Sequence, residues 1–267
     1  SRLTLKAYMT EASSPDVVLD VRGLTISFVE ADGSLDVLDN LSFQVEENSF
    51  VCLIGPSGGG KSTLLRAIGG LLLPTSGEIL FPRHQQNSSL TGMVFQKPNL
   101  MPWRSLADNI SLPLQLAGKS QAEVQQTTHE MIDLVGLRGF EKHFPHELSG
   151  GMAQRVAIAR SLVQDPEILL LDERFGQLDA LTRERMGEEL LRIWGSKRKT
   201  IVMVTHSIAE ALYLADRVLV LTSRPAKISL DLPVPLPRPR RQEMRYTPEF
   251  ARLSQIIHQQ LSDNLQS

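Results

Sequence analysis

The sequence has few of the features that place a chain in a membrane or outside the cell. Its single cysteine, Cys52, cannot form an internal disulfide, which is typical of a reducing compartment. No apolar run approaches the ~18–20 residues that a spanning helix needs, and no charged start followed by an apolar stretch indicates a signal peptide. We therefore expect that another subunit would have to hold this chain at a membrane.

A strong excess of basic residues is also missing. The formal net charge is -2 over 267 residues, so the sequence does not predict a long basic surface, and we expect no nucleic-acid partner. Hydrophobic residues make up 42% of the chain, enough for one large domain or two small subdomains with their own cores.

Short apolar runs alternate with helical spacing along most of the chain. We predict an α/β fold with a mainly parallel sheet, because its strands read as short, continuously apolar runs. Cys52 lies in such a run and is interpreted as a buried strand residue. The predicted strands are Val17–Phe28, Leu41–Val45, Phe50–Ile54, Gly92–Phe95, Glu167–Leu171, Thr200–Val204 and Arg217–Leu221.

The predicted domain organisation has three parts. Residues 1–16 are expected to be a flexible N-terminus, with Met9 as the expected native start. Residues 17–230 form the main domain, with an antiparallel β subdomain at its N-terminal end and a helical subdomain inserted at about 97–165. Helices are predicted over Lys61–Leu73, Ala122–Val135, Gly151–Val163, Leu181–Trp194 and Ile208–Ala215.

Residues 231–267 form a proline-rich C-terminal segment followed by a short helix. Proline occupies every second position from 233 to 239, and a solvated connection is favoured over a polyproline ligand. A helix is predicted to start at Thr247-Pro248-Glu249. Its apolar stripe is expected to pack on the parent domain and consists of Phe250, Leu253, Ile257 and Leu261.

The strongest motif follows the predicted strand Phe50–Ile54 and opens the helix at Lys61. It matches G-x-x-x-x-G-K-[ST], and that structural context favours a phosphate-binding loop over a structural glycine turn. Glycines let backbone N–H groups converge on phosphate oxygens, and the helix N-terminus adds partial positive charge. Lys61 is placed to reach the terminal phosphates and Ser62 to ligate Mg²⁺. The motif residues are Gly55, Pro56, Ser57, Gly58, Gly59, Gly60, Lys61 and Ser62.

Two carboxylates follow the apolar strand that ends at Leu171. Ligands of α/β sheets bind at the carboxyl ends of strands, where Asp172 and Glu173 lie. Asp172 suits a Mg²⁺ ion held through water, and Glu173 suits activation of an attacking water. This pair would be a weak signal by itself, but together with the phosphate loop it favours a nucleotide-hydrolysing site.

A second candidate phosphate surface lies at Leu148-Ser149-Gly150-Gly151-Met152. Ser149 is a natural N-cap, and the two glycines expose backbone N–H groups at a positive helix end. Together with the preceding motifs, this segment resembles the signature of the ABC ATPase family. The resemblance covers roughly Val17–Thr222.

The resemblance implies a P-loop NTPase core that binds ATP and Mg²⁺. Gly55–Thr63, including Thr63, resembles the Walker A loop, and Ile168–Asp172 resembles Walker B. Glu173 resembles the catalytic glutamate of this family.

Four more residues are assigned through the same resemblance. Gln96 resembles the Q-loop glutamine, which helps to bind Mg²⁺ and senses the membrane partner. His206 resembles the switch histidine that contacts the γ-phosphate. Asp179 resembles the D-loop aspartate of the dimer interface. Phe28 is placed either to stack on adenine or to fill the core.

In this family the signature loop of one subunit binds the γ-phosphate held by the other subunit's P-loop. The resemblance therefore implies a head-to-tail dimer with a second copy or a homologous ATPase subunit. The sequence departs from the family pattern at three positions: Met152, Arg174 and Ser207 stand where glutamine, proline and aspartate are common. None of the three removes a phosphate, metal or water-activating group.

Three segments resemble bacterial importers of nitrate, aliphatic sulfonates, taurine and related small solutes: Pro98–Trp103 after the Q-loop, Leu178–Arg183 and Ser223–Ile228. This implies transmembrane permease subunits, an indirect extracytoplasmic solute-binding protein, and a peripheral place on the cytoplasmic face of the membrane. The alternative is a non-transport ABC ATPase of DNA maintenance or translation. The DNA-maintenance type needs coiled-coil arms, which the span from Lys61 to Ser149 lacks. The translation type usually has two ATPase modules in one chain. A binding module without turnover is disfavoured by the presence of Glu173 and His206.

Overall fold

The computed structural model describes residues 16–30, 33–84, 89–172 and 180–266. The chain divides into two compact units: residues up to 86 with 204 onward, and residues 87–203. The strands are β1 Val17–Glu30, β2 Gly33–Glu46, β3 Phe50–Ile54, β4 Ser76–Leu80, β5 Thr91–Val94, β6 Ile168–Asp172, β7 Thr200–Val204, β8 Arg217–Leu221 and β9 Ile228–Pro233. The helices are α1 Lys61–Ile68, α2 Leu106–Leu116, α3 Gln121–Leu134, α4 Gly150–Leu162, α5 Ala180–Lys197, α6 Ile208–Leu214 and α7 Pro248–Gln266.

The first unit opens with a three-stranded antiparallel sheet in the order β2-β1-β4. Apolar residues alternate along β2, so that Leu41, Phe43 and Val45 are buried and the residues between them are exposed. The predicted antiparallel subdomain is therefore present, although β2 begins eight residues before the predicted strand, at Gly33 rather than Leu41. Sequence reasoning missed β4, which buries none of its side chains and so shows no alternating pattern.

The same unit contains the strand that carries the phosphate loop. β3 pairs in parallel with β8, and β9 pairs antiparallel with β8. Every residue of β3 is buried, and burial raises the pKa of the Cys52 thiol well above its ordinary value. The prediction that Cys52 is an unreactive strand residue is consistent with this environment.

The second unit combines parallel strands with helices. β5 pairs in parallel with β6, and helices α2, α3 and α4 pack on one another. No strand occurs between residues 97 and 165, all of which are described, as the sequence predicted. Three helices begin with a serine N-cap whose oxygen accepts from the backbone N–H three residues on; the caps are Ser105, Ser120 and Ser149. Helix α2 was not predicted.

The proline-rich segment is not the solvated connection that the sequence suggested. Val234, Leu236 and Arg240 are buried, because alternate side chains of this extended segment turn inward. The helix after it is also longer than expected, since α7 spans Pro248–Gln266. Three members of its predicted apolar stripe, Phe250, Leu253 and Ile257, are buried, while the fourth, Leu261, is half-buried.

Two arginines of this segment cap the C-terminal end of α6. Arg238 donates to the Leu214 carbonyl at 2.8 Å and to the Asp216 carboxylate at 2.8 Å. Arg240 donates to the Ala215 carbonyl at 2.8 Å. Burial lowers the pKa of Arg240 to about 10, and among the described residues its Nε and Nη1 atoms have no hydrogen-bond partner. The two arginines therefore differ in how well their buried charge is satisfied.

We expect the two arginines to contribute unequally to stability. Arg238→Met should lower the free energy of unfolding by about 1.5–3 kcal/mol, because charge-assisted bonds to Asp216 and a helix carbonyl disappear. Arg240→Met should change it by less than about 1 kcal/mol, since the lost bonds to the Ala215 and Val234 carbonyls are offset by removal of a poorly satisfied buried charge. Urea denaturation of both variants measures the difference. A larger loss for Arg240→Met than for Arg238→Met would contradict it.

Candidate active site

The phosphate loop joins β3 to α1 in the first unit. Gly58 and Gly60 adopt left-handed conformations, with φ of +76° and +84°. A Cβ on Gly55 would lie 2.8 Å from the Leu221 carbonyl oxygen, and one on Gly60 would lie 2.7 Å from a methyl group of Leu38. The glycines of the motif are therefore required by the backbone path and by close packing.

Lys61 lies at the first position of α1 and is 7% exposed. Its ammonium group donates to the carbonyl oxygens of Gly55 at 2.8 Å and Pro56 at 2.5 Å, so its charge is held within the loop. Helix α1 has no side-chain N-cap bond and no acidic residue in its first turn. Its positive end and Lys61 together form a cradle suited to phosphate oxygens. Ser62 and Thr63 follow in the first turn, half-buried.

His206 is exposed on the loop between β7 and α6, and the residues on either side of it are held by hydrogen bonds. Thr205 is buried, donates its backbone N–H to the Leu53 carbonyl at 3.1 Å, and hydrogen-bonds through its hydroxyl to the Glu210 carboxylate. The same hydroxyl accepts from the Ser207 N–H at 3.1 Å. Since Leu53 belongs to β3, this network ties the histidine loop to the strand that precedes the phosphate loop.

Ser207 shows why one departure from the family pattern is tolerated. Its side chain caps α6 by accepting from the Glu210 N–H at 3.3 Å, a role that aspartate could also perform. Sequence reasoning gave no role to Thr205 or Glu210. The spacing Ser207-x-x-Glu210, which resembles a capping box, is the signal that could have found Glu210.

In the second unit, Gln96 and Asp172 lie near the same edge of the sheet. β5 and β6 are parallel neighbours, with Val94 opposite Leu171, and each candidate residue lies just beyond this pair. Asp172 is the last residue of β6 rather than the first after it, and it is 7% exposed. Gln96 is exposed. Glu173 and Asp179 lie outside the described residues.

The segment after Gln96 is held by two residues that sequence reasoning did not assign to the site. Arg160, on α4, donates to the carbonyls of Pro98 at 2.8 Å and Asn99 at 3.0 Å, and burial lowers the pKa of its guanidinium. Asn109 is fully buried, and its amide group bonds both backbone polar atoms of Met101. The sequence signal that could have pointed to Asn109 is a polar side chain in the same helical stretch as the apolar Leu106 and Ile110.

The signature segment caps helix α4. Ser149 accepts from the Met152 N–H at 3.3 Å, and both Ser149 and Gly150 are exposed, with Gly151 half-buried behind them. Since the cap uses only the backbone of Met152, replacement of the common glutamine does not disturb it. The positive end of α4 is thus presented at the surface.

Phe28, on β1, is 39% exposed, so its ring is not enclosed in the core. Adenine stacking by Phe28 stays a prediction. The structure thus assigns Phe28, the phosphate loop and His206 to the first unit, and Gln96, Asp172 and the signature segment to the second.

The donor atoms present fit ATP with Mg²⁺. The glycine cradle with Lys61 suits a polyphosphate, while the Ser62 hydroxyl and the Asp172 carboxylate are hard oxygen ligands of the kind that Mg²⁺ prefers. Within the described ranges, no group of three or more His, Cys, Asp and Glu side chains could hold a metal. Magnesium that enters with a nucleotide takes ligands from phosphate oxygens and water, so it does not require such a group.

Comparison with known proteins places the chain in a family. The family model for ABC transporters matches residues 38–176. The chain is 47% identical over 203 residues to the aliphatic sulfonates import ATP-binding protein of Bacillus cereus, covering 75% of this chain and 80% of that one. It is 44% identical over 247 residues to the nitrate import ATP-binding protein of Synechocystis, covering 90% and 93%.

A solved structure agrees with these relatives. The dimeric post-hydrolysis state of an ATP-binding cassette bound to ADP and Pi superposes with a TM-score of 0.70 at 31% identity. It covers 81% of this chain and 98% of the cassette. The α/β fold of a P-loop NTPase, predicted from the sequence, is thereby confirmed. With the glycine cradle around Lys61 and the capped signature helix, these matches show that the chain belongs to the ABC transporter family as one of its ATP-binding, ATP-hydrolysing subunits.

Proposed function

We propose that this ATPase powers the import of a small anionic solute through separate permease subunits. The observation that carries the proposal is the match to the nitrate import protein, which extends over 90% of this chain and 93% of that protein. The sulfonate import relative points to the same class, because nitrate and sulfonates are both oxyanions. The solute itself would be bound by other subunits.

The mechanism assigns a role to each part of the site. When bound, Mg–ATP supplies the phosphoanhydride bond that is cleaved and the metal charge that offsets the phosphates. Lys61 exchanges its bonds with the Gly55 and Pro56 carbonyls for bonds to terminal phosphate oxygens. Ser62, Asp172 and Gln96 would hold the metal. Glu173 accepts the proton of the attacking water, and His206 donates to the γ-phosphate.

The complete site is proposed to form between two ATPase subunits. Ser149 and the glycines after it lie exposed at the positive end of α4, where they are available to a phosphate held by another chain. The dimeric state of the superposed cassette supports this arrangement. The second subunit is either another copy of this chain or a homologous ATPase, and Asp179 is assigned to the interface between them.

We propose that the segment after Gln96 docks onto the permease at the cytoplasmic face of the membrane. None of the helices in the described ranges combines the length and apolar character that crossing a bilayer requires. Trp103 is 72% exposed in this segment, and tryptophan is enriched among the residues that carry most of the binding energy at protein interfaces. Leu100 and Met101 in the same segment are half-buried, so Trp103 is the principal anchor.

Cross-linking tests the docking site. Trp103→Cys, in the intact transporter and treated with a short thiol-to-amine cross-linking reagent, should form a cross-link to a permease subunit, since the introduced thiol lies at the proposed contact. The matched control is Tyr246→Cys, because Tyr246 is 88% exposed but lies in the other unit, outside the proposed contact. Absence of a Trp103→Cys product in an intact complex, or an equal yield from the control, would refute the assigned surface.

Copurification separates import from the alternative of a non-transport ABC ATPase in DNA maintenance or translation. An importer subunit should copurify with a multi-span permease, and its ATP hydrolysis should be stimulated by a loaded extracytoplasmic binding protein. Copurification with ribosomes or DNA, and none with a permease, would favour the alternative.

A further inference from the structure

A short turn between β8 and β9 lies against the phosphate loop, and no role has been assigned to it. The Thr222 N–H donates to the Lys227 carbonyl at 2.9 Å, and the Lys227 N–H donates to the Thr222 hydroxyl at 2.9 Å. Closed by these two bonds, the turn from Thr222 to Lys227 is a defined element of the first unit. It carries an exposed arginine, Arg224.

The turn is fixed to the N-terminal sheet on one side. Ala226 donates its N–H to the Val37 carbonyl at 2.9 Å and accepts from the Asp39 N–H at 3.0 Å. The Lys227 ammonium also forms an ion pair with the Asp39 carboxylate at 2.9 Å. Because two backbone hydrogen bonds and one ion pair join the turn to β2, the backbone that carries Arg224 is held in place.

On its other side the turn contacts the phosphate loop. The Arg224 Nε donates to the Gly58 carbonyl oxygen. A Cβ on Gly58 would lie 3.2 Å from the Arg224 guanidinium, and one on Gly59 would lie 3.0 Å from the Thr222 carbonyl oxygen. The loop therefore lies close to the turn at two successive residues.

Together with a bond inside the loop, this contact fixes both polar groups of the peptide unit that joins Gly58 to Gly59. The Gly58 carbonyl is held by Arg224, and the N–H of the same peptide, on Gly59, donates to the Pro56 carbonyl at 3.1 Å. Because a peptide unit is planar, holding its oxygen and its hydrogen fixes its orientation. Gly58 has a φ of +76°, a conformation that glycine leaves easily when nothing holds it.

We propose that Arg224 is a positioning residue for nucleotide binding, which holds the phosphate loop in its binding conformation through the Gly58 carbonyl. Without it the Gly58–Gly59 peptide is held only by the bond from its N–H to the Pro56 carbonyl, and binding must then supply the free energy that fixes the orientation of the Gly58 carbonyl. The inference rests on the ATP binding included in the proposed function, but not on import or on the identity of the solute.

Equilibrium binding of Mg–ATP to the full chain tests this role. Arg224→Met should weaken binding by about tenfold, as expected for one lost charge-assisted hydrogen bond. Arg224→Lys should recover part of the loss, because an ammonium can donate to the same carbonyl. In the assembled transporter, KM for ATP should rise while kcat changes by less than about twofold, the pattern expected when binding is lost equally from ground and transition states.

Lys227→Met is the matched control, since it removes the exposed ion pair to Asp39 from the same turn but not the loop contact. Its affinity for Mg–ATP should equal that of the wild type. Unchanged affinity in Arg224→Met, or an equal loss in Lys227→Met, would overturn the role of Arg224 while leaving the proposed function intact. A wild-type chain that bound no ATP would overturn the proposed function itself, and this role with it.

Discussion

Replacing Glu173 by glutamine is expected to lower ATP hydrolysis by about 10²–10⁴-fold, the usual loss when a general base is removed. Glutamine is nearly isosteric with glutamate, so the phosphate loop, Ser62 and Asp172 should still hold Mg–ATP. It cannot accept a proton from the attacking water. Single-turnover hydrolysis in the assembled transporter measures the loss directly.

The same variant should accumulate the ATP-bound dimer, because ATP hydrolysis normally leads this dimer to dissociate. ATP would remain between Lys61 of one subunit and Ser149 of the other, so light scattering with Mg–ATP should report a stable dimer. Glu249→Gln, which removes the surface ion pair to Arg252 in the first turn of α7, is a matched control that should keep wild-type hydrolysis. Wild-type turnover in Glu173→Gln would show that Glu173 is not the base. A variant that binds ATP but stays monomeric would count against the composite site.

Lys61→Ala is expected to weaken nucleotide binding by about a hundredfold or more. The Lys61 ammonium is buried within the loop, and its loss removes two or more charge-assisted bonds to phosphate, at about 1.5–3 kcal/mol each. Unlike Glu173→Gln, this change should impair binding and turnover together. Isothermal titration calorimetry with Mg–ATP gives the affinity.

The corresponding control is Lys119→Ala. Lys119 is an exposed lysine paired with Glu123 on α3, and its loss should leave the affinity unchanged. Thermal unfolding of Lys61→Ala shows whether the chain remains folded without the ammonium bonds to Gly55 and Pro56. Wild-type affinity in a folded Lys61→Ala would refute the role given to this lysine.

Local sequence patterns predicted several elements to the residue. β3, β7 and β8 have the predicted bounds, because each is a short, continuously apolar run between polar residues. The helix start at Lys61 and the cap at Ser149 were also predicted, since capping depends on neighbouring residues. The end of α1 was wrong: it stops at Ile68, where Gly69 and Gly70 follow, rather than just before Pro74.

The elements that were missed depend on partners far away in the chain. β4 is defined by antiparallel pairing with β1 and has no buried face of its own. β9 was obscured by the prolines that follow it, and it exists because β8 offers a free edge. The burial of Arg240 depends on the α6 carbonyl end, 25 residues earlier. Such pairings leave little trace in a local pattern.

For the candidate site, the sequence by itself was enough to predict the chemistry. The motifs require glycine, lysine, hydroxyl and carboxylate groups at spacings that a strand, a loop and a helix bring together, and this information is local. Only the tertiary structure decided which residues hold those groups in place: Arg224 on the Gly58 carbonyl, Arg160 on the segment after Gln96, and Glu210 on Thr205. The first two contacts join residues far apart in sequence, so they form only when the chain has folded. Such contacts leave no periodic pattern of residues in the sequence from which they could be predicted.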